Sequence, residues 1–273
     1  MMTIKEYVQS EKSDLLHEFQ RLRESYNIKA TLAIIQVGDN PASTAYISGK
    51  MKDAEFLNVK TVFIKFPEDV SEKKVLKKIK SLNKKKKIHG IIVQLPLPAH
   101  ISEEKVKLTI SPDKDVDGFN YLSKIDPCTP KGIMDYLNHE RYFFKDKNAV
   151  VIGRSDIVGK PMARLLTKAN CNTTILHSKT SFSNLKRYVE KADLIVIAIG
   201  KPGFLDKTFK LKKSAYVFDV GINRQEGKLL GDCENRLLVK YQSPVPGGVG
   251  LLTRISIFRN LYSLITRQID KVH

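Results

Sequence analysis

Cysteine is scarce in this chain. Three of its 273 residues are cysteines, Cys128, Cys171 and Cys233. None forms a C-x-x-C pair, so the sequence supplies neither a thiolate metal site nor a disulfide framework, and a reducing compartment suits it. Long apolar runs are also missing. The longest, such as residues 194–199, are strand-sized and far short of the roughly 20 residues of a membrane span. The opening dodecapeptide is polar, with Lys5, Glu6, Glu11 and Lys12, unlike a signal peptide, and a cytoplasmic location is expected. Acidic residues are few: 29 Asp+Glu stand against 47 Lys+Arg, leaving a net charge of +18. Twelve of the lysines fall between residues 51 and 87. Base readout favours arginine with interleaved aromatics, and the Lys84–Lys87 run has neither. The excess therefore reads as a solvated lysine-rich face, able at most to attract an acidic ligand without specific geometry.

What is present is a regular alternation of two apolar periods, which argues for an α/β fold with parallel sheets. Ile4, Val8, Leu15, Leu16, Phe19 and Leu22 recur at helical spacing. A buried strand follows at 31–37, then a helix at 43–57, a strand at 61–66, a helix at 70–82 and a strand at 90–95 closed by Pro96 and Pro98. A second run starts near Thr129-Pro130, with Thr as helix cap and Pro in the first turn. It continues as strand 149–152, helix 158–168, strand 173–176, helix 181–190 and strands 194–199 and 215–220. After Gly247-Gly248 the pattern is helical to residue 269. No low-complexity linker intervenes, so two α/β lobes meeting at a hinge near Pro127 are expected, with a cleft between them.

Strand 149–152 runs into Gly153-Arg154-Ser155-Asp156-Ile157-Val158-Gly159-Lys160-Pro161 and then a helix. This is the strand, glycine turn and helix of a dinucleotide site, where turn amides and the positive helix end meet a pyrophosphate. Ser155 stands where a second glycine belongs. An NAD-specific unit places a carboxylate at the end of the next strand to hold the ribose 2′-hydroxyl. Here the chain reads Leu176-His177-Ser178-Lys179-Thr180. With no carboxylate, and with Ser178, Lys179 and Arg154 available to a 2′-phosphate, NADP is favoured over NAD.

Candidate chemistry in the first lobe rests on Tyr46 and Lys50, four apart on one helix face. A lysine held among apolar groups is pushed towards neutrality, which suits proton transfer. Gln94, at the tip of an otherwise apolar strand, either caps it or points into the cleft. Asp115 and Asp117 alternate in a turn-rich loop but lack the further ligands of a calcium loop, so no metal is expected.

These residues carry a resemblance. Val37-Gly38, Ser43-x-x-Tyr46-x-x-x-Lys50, Val93-Gln94-Leu95-Pro96-Leu97-Pro98, Lys114-Asp115-Val116-Asp117-Gly118, Pro127-Cys128-Thr129-Pro130-x-Gly132, Gly153-Arg154-Ser155, Asp219-Val220-Gly221-Ile222-Asn223 and Pro244-Val245-Pro246-Gly247-Gly248-Val249-Gly250 occur in order. Together they resemble the bifunctional methylenetetrahydrofolate dehydrogenase/methenyltetrahydrofolate cyclohydrolase family, from about residue 31 to 254. The resemblance implies a folate-binding catalytic lobe over 1–127, completed by a C-terminal helix over 250–273, and a Rossmann-like NADP-binding lobe over 128–249. It implies oxidation of 5,10-methylenetetrahydrofolate with NADP and hydrolysis of the methenyl product to 10-formyltetrahydrofolate, on folates with one or more glutamates. By motif, Lys50 is the catalytic lysine, Gln94 its hydrogen-bonding partner, Tyr46 a stacking surface and Asp117 the pterin anchor. Val93, Leu95, Pro246, Gly247, Gly250 and Thr253 complete the folate site. Gly153, Arg154, Ser155, Ser178 and Ile222 contact NADP. A homodimer through the cofactor lobe is implied as well. The chain departs from the family in Leu251-Leu252, where Pro-Met is usual, in a short 119–126 segment and in an abbreviated N-terminus.

Two other readings compete. One is an NADP-dependent dehydrogenase of similar fold without cyclohydrolase activity. The other is a basic nucleic-acid-binding protein that retains the enzyme fold only.

Overall fold

The structure is a computed structural model that describes residues 1–270; the end of the helix expected over 250–273 thus lies, from residue 271, outside the described residues. The chain forms α1 (Ile4–Tyr26), β1 (Thr31–Val37), α2 (Pro41–Phe56), β2 (Lys60–Phe66), α3 (Glu72–Asn83), β3 (Gly90–Val93) and α4 (Glu103–Thr109). It continues with α5 (Cys128–His139), β4 (Asn148–Ile152), α6 (Gly159–Lys168), β5 (Asn172–Leu176), α7 (Phe182–Glu190) and β6 (Leu194–Ile197). The last elements are β7 (Tyr216–Asp219), β8 (Asn223–Gln225), β9 (Lys228–Leu230), β10 (Tyr241–Gln242) and α8 (Val249–Asp270). Contacts divide it into two compact units. One comprises Gln9–Cys128 and the chain from Arg254 onward, the other Met1–Val8 and Thr129–Thr253.

The first of these holds a parallel three-stranded sheet in the order β2-β1-β3. Central β1 is buried at every position, whereas edge strand β2 leaves Phe63 42% exposed. One sheet face packs on α3 and α4 through Val75, Ile79, Leu82, Val106 and Ile110. At Gly90 a Cβ would lie 2.5 Å from Val116 Cγ1 and 2.9 Å from Leu261 Cδ1, so this close approach of β3 to α8 requires glycine. Asn260 on α8 donates from Nδ2 to the carbonyls of Val116 (2.9 Å) and Asp126 (3.1 Å), anchoring the loop between η-turn 112–114 and α5.

The other unit carries a parallel five-stranded sheet ordered β10-β7-β6-β4-β5. The chain leaves β4 towards β5 and then crosses back to β6, so the strand order reverses at β4, where open sheets bind ligands at their carboxyl ends. Its core includes Ile152, Leu176, Leu185, Val189, Ile195 and Val217. β8 and β9 form an antiparallel hairpin turned by Glu226 (φ 50°) and Gly227 (φ 77°), both left-handed.

Several boundaries differ from the sequence reading, each for a local reason. β3 stops at Val93 rather than residue 95, although the Gln94 amide still reaches the Ile35 carbonyl at 2.9 Å, because Leu95-Pro96 cannot extend the ladder. α5 begins at Cys128, one residue before the expected cap. Thr129 lies inside the first turn, and its hydroxyl meets that of Thr253 at 2.9 Å instead of capping. The short α4 was not foreseen from periodicity; Ser102 caps it by accepting from the Lys105 amide at 3.2 Å.

Candidate active site

Lys50 projects from α2 into an apolar setting and is only 4% exposed. Its Nζ donates to Gln94 Oε1 at 2.9 Å and lies 5.6 Å from the centre of the Tyr46 ring, one turn back. Gln94 is held in turn, because its Nε2 donates to the Leu95 carbonyl at 2.8 Å. Its oxygen is thereby left to face the lysine. Burial pushes the Lys50 pKa down, and the positive charge of Arg254 pushes the same way, while Asp117 and Cys128 oppose. Asp117 feels the reverse: burial raises its pKa against the pull of Lys50 and Lys107.

The loop that presents Asp117 is organised by Asp115, which is 1% exposed. Its carboxylate accepts from the amides of Gly118 (3.1 Å) and Asn120 (2.9 Å). Gly118 (φ 71°) closes the turn against the Asp126 backbone, where a Cβ would sit 2.7 Å from the carbonyl carbon. Burial lifts Asp115 to about 6, with the neighbouring Asp117 charge adding to it. Among the described residues no group of His, Cys, Asp and Glu could hold a metal ion.

The five-stranded unit has a cavity of about 440 Å³ at the carboxyl ends of β4, β5 and β6. Gly153, Arg154, His177, Ser178, Ile199 and Lys201 line it, with Phe182, Leu185 and Phe204 as an apolar wall and no carboxylate among the lining residues. Gly153 (φ 121°) passes so near β6 that a Cβ would be 2.5 Å from the Ala198 carbonyl, and a Cβ on Gly159 would be 2.3 Å from the Gly153 oxygen. That close backbone approach, with two cations and an apolar slot, fits a phosphorylated dinucleotide. The helix end differs from expectation in one respect. Ser155 Oγ accepts from the amides of Val158 (3.2 Å) and Gly159 (3.3 Å), the Ser155 carbonyl takes that of Lys160, and Pro161 has none. The donors of the first turn of α6 are thus already engaged within the chain, which leaves its dipole and the Arg154 side chain facing the cavity.

The loops after β6 and β7 are tied by two buried carboxylates: Asp232, which the sequence reading did not single out, and Asp219, which opened a motif of the resemblance without a role of its own. Asp232, 0% exposed, accepts from the amides of Ile199 (2.7 Å), Gly200 (3.0 Å) and Lys201 (2.7 Å) and from Asn223 Nδ2 (3.0 Å). Asp219 accepts from the amides of Gly221, Asp232 and Cys233 at 2.8–2.9 Å. Glycines at 221 and 231 leave room for them, since a Cβ would fall 2.4 Å and 2.0 Å from the respective carboxylates. The available signal was an aspartate inside the apolar, glycine-flanked stretch Leu229-Leu230-Gly231-Asp232-Cys233.

Comparison with known proteins agrees with both halves. The tetrahydrofolate dehydrogenase/cyclohydrolase catalytic-domain model matches residues 2–117, and the corresponding NAD(P)-binding-domain model matches residues 127–269. This chain belongs to the tetrahydrofolate dehydrogenase/cyclohydrolase family. The bifunctional protein FolD of Streptococcus agalactiae is 40% identical over 275 residues, covering 96% of each chain. That of a Wolbachia strain from Drosophila simulans is 45% identical, covering 88% of this chain and 86% of the relative. Among solved structures, the bifunctional FolD enzyme of Campylobacter jejuni superposes with a TM-score of 0.91 at 36% identity, over 97% of each chain. The Trypanosoma brucei enzyme, complexed with NADP cofactor and inhibitor, gives 0.92 at 28% identity over 98% of each.

In this family member Lys50, Gln94, Tyr46 and the electrostatically coupled Asp117 fall in one unit, with Val93 and Leu95 flanking Gln94 along the chain. Pro246, Gly247, Gly250 and Thr253 belong to the other unit, at the entry to α8. There Gly247 adopts φ 94°, and Thr253 Oγ1 donates to the Val249 carbonyl at 3.0 Å. Of the residues assigned to the cofactor, Gly153, Arg154 and Ser178 line the cavity. Ser155 is at the helix turn, and Ile222 stands 51% exposed beyond β7. The surroundings of Lys50 also contain Asp53, which the sequence reading did not name, and Arg254, expected there only as the end of the 246–254 segment that closes over folate and nicotinamide. An aspartate three positions from Lys50 on the buried side of α2 was the signal for the former.

The Asp115 shift has a measurable consequence. Its folded pKa of about 6 exceeds the ordinary 3.8. Its contribution to stability is therefore full below the unfolded value and is lost as pH rises through about 6. Asp115→Asn cannot ionise, so it should gain on the wild type by on the order of 2–3 kcal/mol between about pH 4 and pH 7. Urea unfolding at each pH measures this; a difference that does not change with pH overturns it.

Proposed function

We propose that this protein oxidises 5,10-methylenetetrahydrofolate to 5,10-methenyltetrahydrofolate with NADP and then hydrolyses the methenyl product to 10-formyltetrahydrofolate. The observation that carries the reading is the buried Lys50–Gln94 pair at 2.9 Å. NADP, when bound, accepts the hydride. Gly153, Arg154, Ser178 and Lys201 would hold it, the two cations suiting the extra phosphate. Tyr46 offers a ring face to the pterin, and Asp117 an acceptor for its ring N–H groups. Hydride loss leaves a delocalised cation on the folate, so the chain has mainly to align the substrate at that step. Hydrolysis needs more. Attack of water requires a proton acceptor and ring opening a donor, and Lys50, drawn towards neutrality and oriented by Gln94, serves both in turn.

The same reading places the protein in the cytoplasm as a homodimer. Among the described residues no helix is long and apolar enough to cross a membrane. For the dimer, β5 is an outermost strand of its sheet with Ile175 38% exposed, an edge open to pairing with a second copy. Light scattering should give about twice the 31.0 kDa chain mass; the monomer mass rejects it.

A spectrophotometric assay with both folate substrates tests the activity. Methenyltetrahydrofolate should be consumed without NADP, and Lys50→Met should lower that rate by about 10²–10⁴-fold while leaving NADP affinity intact. A loss below about tenfold removes Lys50 from the mechanism. Cofactor choice is tested separately by kcat/KM, which should favour NADP over NAD; equal values or an NAD preference would sink the 2′-phosphate assignment to Arg154, Ser178 and Lys179.

A further inference from the structure

Lys50 shares its surroundings with a second, permanently charged cation. One turn along α2, Asp53 is 2% exposed and carries two ion pairs. Lys12 Nζ lies 2.6 Å from Oδ1, and Arg254 donates to Oδ2 from Nε at 2.7 Å, with its Nη2 at 2.6 Å from the same oxygen. The guanidinium lies against the helix at Gly49. A Cβ there would be 2.8 Å from Nη1 and 3.0 Å from Cζ, so a side chain before Lys50 would push the guanidinium aside. Asp53 thus fixes Arg254 across the backbone that carries the lysine.

Stability alone does not call for such an arrangement. Buried ion pairs often contribute no more than apolar residues of similar volume, because desolvation cancels the attraction. The charge distribution around Lys50 does give it a use. Tyr46 on α2 and Gln94 beyond β3 add no net charge. Asp117, in the loop anchored by Asp115 and influenced by Lys107, and Cys128 at the start of α5 favour the ammonium form, whereas Arg254 on α8 disfavours it. A guanidinium supplies a fixed charge, so this contribution is constant while Lys50 cycles.

We propose that Arg254, pinned by Asp53 across Gly49, is a positioning residue whose fixed positive charge beside the Lys50 backbone adds to burial in keeping the lysine a proton acceptor. This rests on the reading of Lys50 as the proton-transfer group of the hydrolysis. It assigns the arginine a role in setting the lysine's proton affinity, without contact with substrate.

The test is the pH profile of methenyltetrahydrofolate hydrolysis without NADP, with the spontaneous rate subtracted. Arg254→Gln should move the rising limb to higher pH by about 0.5–1 unit, while the plateau at high pH stays within about threefold of wild type. Arg254→Lys, which keeps the charge, should bring the limb back towards the wild-type position. Should loss of the ion pair unfold Arg254→Gln, the double variant Asp53→Asn/Arg254→Gln, which leaves no buried carboxylate behind, should move the limb in the same direction. A plateau that drops with an unmoved limb means a structural role only and overturns the proposal, as does a shift to lower pH. Lys50→Met separates the two readings. If it is inactive while the Arg254 limbs superimpose on wild type, only the tuning role falls; if it retains activity, the lysine assignment falls first.

Discussion

The cost of removing one ammonium group from water organises the folate-side unit. Lys50 is buried and, among the described residues, donates to one acceptor, Gln94 Oε1, with the aromatic face of Tyr46 for company. An uncompensated buried charge is expensive, so the group is driven towards its neutral form. Other features secure this state. The chain end of β3 aims Gln94, the buried carboxylate of Asp115 shapes the loop carrying Asp117, and Asn260 holds that loop to α8. A lysine at the same place on an exposed helix would be an ordinary cation of no catalytic interest.

The five-stranded unit handles buried charge in the opposite way. Asp232 and Asp219 are surrounded by amide donors, four on one and three on the other. Carboxylates satisfied to this degree are structural fasteners, because each amide they accept from is fixed in direction. They set the course of the backbone at Ile199 and Lys201, which form a wall of the cavity. Charge satisfied by directed amides shapes the cavity wall here, whereas burial draws Lys50 towards its neutral form.

The large positive excess belongs to neither arrangement. Lys84–Lys87 are exposed, and many lysines form exposed pairs such as Lys105–Glu72 and Lys160–Asp156. Pairs of this kind are each worth about 0.2–1 kcal/mol and are screened by salt. The excess therefore bears little on the fold, and the family assignment rests on the interior and the motifs.

Much of the architecture was written locally and could be read from the chain. The apolar run of β1, the helical period of α1, the glycine turn after β4 and the missing carboxylate after β5 are all short-range patterns. So are Tyr46 and Lys50, whose four-residue spacing puts them on one face of any helix. What tertiary structure alone decided were pairings between residues distant in the chain: Arg254 with Asp53 across 201 positions and Asp232 with the Ile199 amide across 33; the Lys50–Gln94 pairing across 44 positions was expected from the family motifs and not from any local pattern. Boundaries also escaped where a distant partner overrode local preference, as when Thr129 met Thr253 instead of capping α5. Periodicity states which side chains will be buried. Whether a buried polar group is satisfied or left reactive depends on which partner the fold brings to it, and no local pattern encodes that.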